Sequence, residues 1–244
     1  MTGDLRPYPE YKDTGLPWLG RVPAHWDVRR LRTILKQRNE KNNPVQTSQI
    51  LSLSIAHGVT LYSHEGRGGN RAKSDLSAYK IARVGDLVLN SMNVVVGAVG
   101  LSRYTGAISP VYYALYPRSE DADIRYYDKL FSNTVFQRYL LIFGKGILIK
   151  EGVSGKLNTI RMKISPDDLK GIFLPVPSPD EQKAIADYLD ANAVKVRRFI
   201  RNRRRLIEVL NEQKQAIINR AVTRGLDPNA SLKPSGIDWL GDIP

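Results

Sequence analysis

The strongest chemical signal in the sequence is a run of positive charge. Lys195–Arg205 (KVRRFIRNRRR) holds seven cations in eleven residues. Lysine and arginine at this density favour contacts with phosphate groups or with an acidic protein, and phosphate contacts give affinity and salt dependence without sequence information. The same run is equally typical of a solvated helix face. The residues alone leave both interpretations open.

A second polar stretch has the composition that base recognition requires. In His64–Lys73 (HEGRGGNRAK), glycines flank long hydrogen-bond donors. Arginine and lysine pair with guanine edges and asparagine pairs with adenine, although an ordinary flexible loop has the same composition. The candidate DNA-contacting residues of this stretch and of later turns are Arg67, Asn70, Arg71, Lys73, Ser91, Asn93, Arg103, Tyr104, Lys145, Lys150 and Lys156.

Motifs of catalysis and cofactor binding are missing from the sequence. There is no GxxxxGK[ST] phosphate loop, and Gly97–Gly100 (GAVG) lacks the third glycine of a dinucleotide site. The three histidines show no i,i+4 spacing, and the chain has no cysteine, so we expect no metal site and no disulfide. The acidic pair Asp167–Asp168 suits the first turn of a helix. We therefore expect a protein without a catalytic centre, metal or cofactor of its own.

The overall charge narrows the class of partner. The 244 residues include 37 Lys and Arg against 24 Asp and Glu, a net charge of +13. Such a charge favours nucleic acid or an anionic membrane. The best apolar run, Val94–Leu101, is far shorter than the about 20 residues of a membrane span, and the N-terminus has no signal-peptide pattern. We expect a soluble, cytoplasmic protein that faces nucleic acid.

An internal repeat sets the organisation of the chain. Lys12–Pro23 (KDTGLPWLGRVP) and Lys233–Pro244 (KPSGIDWLGDIP) agree in register at nine of twelve positions, six by identity and three by residue type. The alternative is chance similarity between two turn-rich segments. If the repeat is real, a second unit begins at the end of this sequence, and we expect half of a tandem-repeat protein or a natural half-length version.

The segment between the two copies begins with mixed helix and strand signals, which predict a compact α+β domain over residues 27–177. Apolar residues at helical spacing predict one amphipathic helix over Asp123–Phe143, and Ser165–Asp168 predicts the start of a short helix. The predicted β-rich runs, separated by Gly, Asn and Pro, are Ile50–Ile55, Asp86–Leu89, Val94–Leu101 and Val111–Leu115.

The segment that follows predicts a single long helix over residues 178–225. Ser178, Pro179 and Glu181 form a capping box with proline at the first helical position, and Gly225 supplies the end. Two heptad rows of apolar residues, with polar breaks, predict a coiled-coil seam that needs a partner helix. The predicted pairing residues are Ile185, Leu189, Val196, Phe199, Leu206, Leu210 and Ile217.

Several motifs together resemble the specificity subunit of type I restriction–modification systems, at half its length. Tyr11–Trp26 and the segment from Ala221 to Pro244 resemble the starts of its repeats. Gly85–Asn90 (GDLVLN) and Gly106–Leu115 (GAISPVYYAL) resemble its target-recognition domain, and Leu174–Leu189 (LPVPSPDEQKAIADYL) resembles the entry into its conserved helix. These motifs span nearly the whole chain.

The resemblance implies a fold and a role. The implied organisation is an N-terminal repeat segment (1–26), a target-recognition domain (27–177), a long conserved helix (178–225) and the start of a second repeat (226–244), with the helix pairing as an antiparallel coiled coil. It implies partners: double-stranded DNA, a methyltransferase subunit that binds S-adenosylmethionine, and a motor–nuclease subunit. The partner of the long helix would be the helix of a second repeat or that of a second copy of this chain. The rivals are a non-specific basic coiled-coil scaffold and, more weakly, a self-sufficient methyltransferase.

Overall fold

The helices and strands are those of a computed structural model, which describes residues 7–63, 73, 75–148, 160–227, 229–238 and 240–244. The strands, numbered in chain order, are β1 (Tyr11–Asp13), β2 (Arg21–Pro23), β3 (Asp27–Arg30), β4 (Leu35–Arg38), β5 (Leu51–Ser54), β6 (Gly58–Leu61), β7 (Lys80–Ala82), β8 (Leu87–Asn90), β9 (Val99–Leu101), β10 (Gly106–Ile108), β11 (Tyr112–Pro117), β12 (Lys145–Leu148), β13 (Ile160–Lys163), β14 (Phe173–Val176), β15 (Lys233–Pro234) and β16 (Asp242–Ile243). The α-helices are α1 (Leu31–Ile34), α2 (Ile124–Phe131), α3 (Thr134–Leu140), α4 (Pro166–Gly171) and α5 (Pro179–Arg224). The chain divides into two units, Met1–Asp187 and Tyr188–Pro244.

A four-stranded antiparallel sheet lies at the centre of the first unit, in the order β4-β11-β8-β9. Successive side chains of a strand point to opposite faces, and here both faces are buried. Leu87 and Leu89 pack into one apolar cluster with Phe131 and Phe136 of α2 and α3. Val88 belongs to a second cluster with residues of β5, β6, β7 and β10. The predicted α+β class is confirmed.

The predicted helix over Asp123–Phe143 is two helices instead of one. The side chain of Asn133 accepts hydrogen bonds from the backbone N–H groups of Val135 and Phe136 (2.8 and 3.1 Å), so it caps α3 just after α2 has ended. Asparagine competes well for this role because its short amide satisfies the free N–H groups of a helix start. The predicted apolar face is nevertheless the buried one, since Phe131 and Leu140 have no exposed surface.

The predicted strands agree with the structure except at Val94–Leu101. Its first half is a 3-10 turn, Val94–Val96, and only β9 is a strand. Gly97 has a φ of +90°, a left-handed conformation that favours glycine and interrupts extended backbone. The carbonyl of Asn93 accepts hydrogen bonds from Val96 and Ala98, which closes the turn. Val94 and Val95 are buried there without forming a strand.

The two copies of the repeated segment fold as the same hairpin. β1 pairs with β2 through Lys12 and Val22, and β15 pairs with β16 through the equivalent Lys233 and Ile243. The turn bonds also correspond: Gly20 N–H donates to the carbonyl of Leu16 (2.9 Å), and Gly241 N–H to that of Ile237 (3.1 Å). The similarity of sequence is therefore a similarity of structure.

The long helix begins and ends where the sequence predicts. Ser178 N–H donates to the Glu181 carboxylate (3.0 Å), Glu181 N–H donates back to the Ser178 hydroxyl (3.4 Å), and Pro179 is the first helical residue. Gly225 follows the last turn with a φ of +71°. The helix contains 46 residues, which corresponds to about 69 Å at 1.5 Å per residue.

Candidate nucleic-acid interface

Lys80 places a positive charge at the start of β7 in an unusual setting. Its Nζ donates a hydrogen bond to the carbonyl of Tyr112 (3.0 Å) and lies 5.3 Å from the ring centroid of Tyr113. Burial lowers the pKa of this lysine, and the neighbouring charge of Lys163 lowers it further. Both effects disfavour the protonated amine, so an anion placed beside Lys80 and Lys163 would be stabilised.

The hairpin β12–β13 brings two more lysines to this place. Lys145 pairs across the hairpin with Lys163, and the N–H of the next residue, Ile164, donates to the carbonyl of Ser91 at the end of β8 (3.0 Å). Lys41 forms an isolated backbone bridge with Lys80. We call Lys41, Lys80, Lys145 and Lys163 the lysine cluster.

The lysine cluster is poorly neutralised. Lys145 is 3.5 Å from a carboxylate oxygen of Asp168, but its side chain is 82% exposed, and such a pair contributes little. Among the described residues, neither Lys80 nor Lys163 forms an ion pair. Several cations without matching carboxylates are the arrangement that binds backbone phosphates.

Asn93 lies at the same end of β8 as the bond between Ser91 and Ile164. It lies in the turn after β8, two residues beyond Ser91, and its side chain is exposed. Its backbone is held by hydrogen bonds to Asn90, Val96 and Ala98. An exposed amide on a fixed backbone suits a bidentate contact to adenine, which phosphate-binding lysines cannot supply.

Glu181 fixes the first turn of α5 to the N-terminal segment. Its carboxylate accepts hydrogen bonds from Nε2 of His25 (2.9 Å), Nε1 of Trp26 (3.2 Å) and the backbone and hydroxyl of Ser178 (3.0 and 2.8 Å). Partial burial raises its pKa, but these hydrogen bonds outweigh burial and lower the pKa to about 2. The carboxylate is therefore charged at neutral pH.

Gln182 anchors the same turn from inside. Its amide is fully buried and makes three hydrogen bonds: it accepts from Asp123 N–H (2.9 Å) and donates to the carbonyls of Asp121 and Pro177 (3.1 and 2.9 Å). Arg125 of α2 adds ion pairs to Asp123 and to Asp187 of α5. Hydrogen bonds and ion pairs thus fix the start of the helix on the domain.

Beyond Asp187 the helix presents apolar side chains to solvent. Six of the seven predicted pairing residues are exposed by 39 to 69%: Leu189, Val196, Phe199, Leu206, Leu210 and Ile217. The prediction is wrong for Ile185, which packs half-buried against the core of the domain because the first turns of α5 belong to that core. An adjacent row that the heptad analysis did not single out is also exposed: Ile200, Ile207, Ile218 and Val222.

Comparison with known proteins gives a result at the level of structure. No protein-family model and no curated protein matches the sequence. The solved HsdS subunit from Thermoanaerobacter tengcongensis is 19% identical and superposes with a TM-score of 0.50 over 88% of this chain and 48% of its own. A structure described by its part in assembly and conformational transition of the type I R–M system gives 20% identity and a TM-score of 0.55, over 88% of this chain and 49% of its own. The chain has the fold of an HsdS specificity subunit.

This chain corresponds to about half the length of the solved HsdS structures. The chain spans 48 and 49% of the two solved structures. The S subunit of the type I restriction–modification system of M. genitalium also matches, with 14% identity and a TM-score of 0.42 over 81% of this chain and 43% of its own. The half-length resemblance inferred from the sequence agrees with the 48 and 49% covered in the first two structures.

Within this HsdS fold, the predicted DNA-contacting residues separate into groups. Lys145 belongs to the lysine cluster, and Asn93 lies in the turn after β8, two residues beyond Ser91, which bonds to Ile164 next to Lys163. Arg103 and Tyr104 lie in the turn after β9, at the opposite end of the sheet, because Leu101 pairs with Leu87 whereas Asn90 pairs with Tyr112. Five residues lie outside the described part of the chain: Arg67, Asn70, Arg71, Lys150 and Lys156.

Two further predicted residues have described positions. Lys73 is exposed, and its backbone N–H donates to the Tyr79 hydroxyl (3.3 Å). Ser91 is only 1% exposed, so the structure corrects its prediction as a surface contact. Its backbone N–H donates to the carbonyl of Val111 (3.2 Å), and its carbonyl accepts from the N–H of Ile164 (3.0 Å), so the residue is held between two neighbouring segments.

Sequence analysis missed three members of the lysine cluster. Lys80 and Lys163 each lie between apolar residues, and Lys41 lies far from both along the chain in a segment of mixed charge, so no run of positive charge marks them. Only the β7 and β13 positions bring them together. In the part of the chain that the structure describes, no group of His, Asp and Glu is arranged to hold a metal ion, and no helix is long and apolar enough to cross a membrane.

Proposed function

We propose that the chain is a non-catalytic, sequence-specific DNA-binding subunit that directs a type I methyltransferase to one half of a bipartite target. The observation that carries this proposal is the lysine cluster, a poorly neutralised group of cations on a domain with the HsdS fold. A phosphate binder on that fold fits DNA as the ligand. In this proposal the chain works in the cytoplasm and carries no cofactor, and S-adenosylmethionine binds to the methyltransferase subunit.

Recognition is divided between backbone and base contacts. The lysine cluster holds phosphates and sets the position of the domain (27–177) on the duplex. Asn93, Lys73 and the residues of the loops outside the described part of the chain supply donors for base edges. The proposal assigns base recognition to those loops because regular strands supply the buried sheet and leave few free side chains.

The long helix (178–225) serves assembly. Its exposed heptad rows pair with the same rows of a second copy in an antiparallel coiled coil, because a lone helix would leave them in water. The adjacent row of Ile200, Ile207, Ile218 and Val222 remains available to the methyltransferase subunit. A motor–nuclease subunit would join this complex for restriction.

A two-fold pair of chains predicts the form of the target. Each copy contributes one recognition domain, so the target is two matching half-sites separated by a spacer that the helices set. The segments 1–26 and 226–244 are, in this proposal, the starts of successive repeats. A strict monomer bound to one methyltransferase subunit, measured by light scattering, would exclude the pairing.

Competition binding at fixed salt separates this function from that of a basic scaffold. The full chain with its methyltransferase is bound to a labelled target duplex, identified by methylome sequencing of the host, and challenged with unlabelled target or scrambled duplex. If the chain reads sequence, unlabelled target should compete at a concentration at least a hundredfold lower than scrambled duplex. Equal competition by both duplexes would support the scaffold. Binding of S-adenosylmethionine to the isolated chain would support the methyltransferase alternative.

A further inference from the structure

A small basic groove lies on the first unit, beside β4 and the second half of β11. It has a volume of about 160 Å³ and is formed by α1, β4, the end of β11 and α4. The length of β11 separates Arg118, at the rim of the groove, from Lys80 of the lysine cluster. Lys80 bonds to Tyr112 at the start of β11, whereas Arg118 follows its last residue. Six residues of strand extend about 17–20 Å. The two sites approach each other at α4, where Asp168 pairs with Lys145 of the lysine cluster (3.5 Å) and Leu169 and Lys170 line the groove. They share no lining residue.

The floor of the groove is apolar. It is closed by Leu31, Leu35, Leu115 and Leu169, each 1 to 2% exposed. These side chains belong to the main core, so the floor is rigid on the scale of a packed interior. The floor offers dispersion contacts and no hydrogen bonds to whatever enters.

The rim of the groove is positively charged. Arg32, Lys36, Arg118 and Lys170 all line it, and none of the described lining residues is acidic. Arg118 Nε donates to the carbonyl of Arg32 (2.7 Å), which fixes the guanidinium group at the rim. Lys170 is 3.2 Å from Asp167, an exposed pair that leaves the positive excess of the rim largely intact.

We propose that this groove binds an acidic segment of a partner protein, with one aliphatic side chain on the leucine floor and flanking carboxylates on the rim. The volume is below the roughly 300 Å³ at which small-molecule pockets begin, and it suits a single side chain. An apolar centre with a charged rim is the arrangement of a protein-binding hot spot. A DNA phosphate would satisfy the cations but would leave the apolar floor unused. The proposal does not depend on the DNA-binding function.

Fluorescence anisotropy of the full chain tests the groove with two labelled octapeptides. One alternates glutamate with leucine, and the other alternates glutamate with serine at the same net charge. If the groove binds as proposed, the leucine peptide should bind at least fivefold more tightly than the serine peptide. Equal affinity would overturn the proposal, because charge alone would then explain binding to a protein of net charge +13.

Charge reversal locates the binding. The double variant Arg32→Glu, Lys36→Glu should bind the leucine peptide at least tenfold more weakly. The control Arg198→Glu, Arg201→Glu makes the same change of charge on the exposed helix and should lower the affinity for this peptide less than threefold. Equal losses in both double variants would overturn the proposal. So would a groove variant that keeps its peptide affinity and loses affinity for duplex DNA, since the groove would then be a phosphate site. Circular dichroism confirms that each variant is folded.

Discussion

Nε2 of His25 lies 2.9 Å from a carboxylate oxygen of Glu181, 156 residues further along the chain. The same carboxylate caps the helix that begins at Ser178 and accepts the indole N–H of Trp26. One side chain therefore fixes both the direction of the helix start and the end of the N-terminal hairpin segment. A capping box usually satisfies only its own helix. Here it also joins two distant parts of the chain.

Glu181→Gln should lower the free energy of unfolding by about 2 kcal/mol at pH 7, with allowance for solvent screening of a partly exposed group. The hydrogen bonds of Glu181 lower its pKa to about 2 in the folded chain, from an ordinary value of 4.5. The stabilisation is therefore complete above about pH 4.5 and is lost as the pH falls towards 2. Urea denaturation of both proteins at pH 7 and pH 3 checks this: the difference between them should shrink at pH 3. A difference that does not depend on pH would contradict it.

Gln182→Leu should destabilise the chain by about 2–4 kcal/mol, because the change leaves Asp123 N–H and two carbonyls without partners in a buried place. Lys183→Leu is the matched control, since Lys183 is its exposed neighbour on the same helix. Thermal unfolding followed by circular dichroism measures both. Equal melting temperatures would show that water replaces the lost amide.

Gly106→Ala should be strongly destabilising, by about 2–4 kcal/mol, because overpacking forces the backbone to move. A Cβ at this position would lie 2.6 Å from the carbonyl oxygen of Gln49 and 2.9 Å from Leu51. Gly171→Ala is the control: nothing lies within 4 Å of its Cβ, and the change should be neutral or slightly stabilising. Denaturant titration of the two variants should differ accordingly, and similar midpoints would contradict the close approach of β10 to β5.

These residues show which features the sequence can predict. The cap at Ser178, the end at Gly225 and the apolar face of α2 and α3 are local or periodic, so a single stretch of residues specifies them. The break at Asn133 is a local signal that the periodicity concealed. The lysine cluster, the anchoring of Ile185 in the core and the burial of Ser91 depend on contacts between distant segments. No pattern along the chain specifies such contacts.

Leu206→Glu should shift the chain from dimer to monomer if α5 pairs through its exposed rows. A charge in the seam must be desolvated on pairing, and we expect the dissociation constant to rise at least a hundredfold, or about 3 kcal/mol. Asn219→Glu makes the same change of charge on the opposite side of the helix and should leave the association unchanged. Sedimentation velocity over a range of concentrations distinguishes the two. A wild-type chain that remains monomeric throughout would refute the pairing.

Lys163→Gln should reduce the salt dependence of DNA binding. Each phosphate contact that is removed lowers the slope of log affinity against log salt by about 1. Its loss also lowers the affinity for all duplexes equally, whatever their sequence. Asn93→Ala should do the opposite: it should leave the slope unchanged and relax the preference for one base by about 1–3 kcal/mol. Lys12→Gln, an exposed lysine on the N-terminal hairpin, controls for loss of charge. Binding isotherms at four salt concentrations with target and scrambled duplexes give both quantities. If Lys12→Gln and Lys163→Gln changed the slope equally, the lysine cluster would have no special part in binding phosphate.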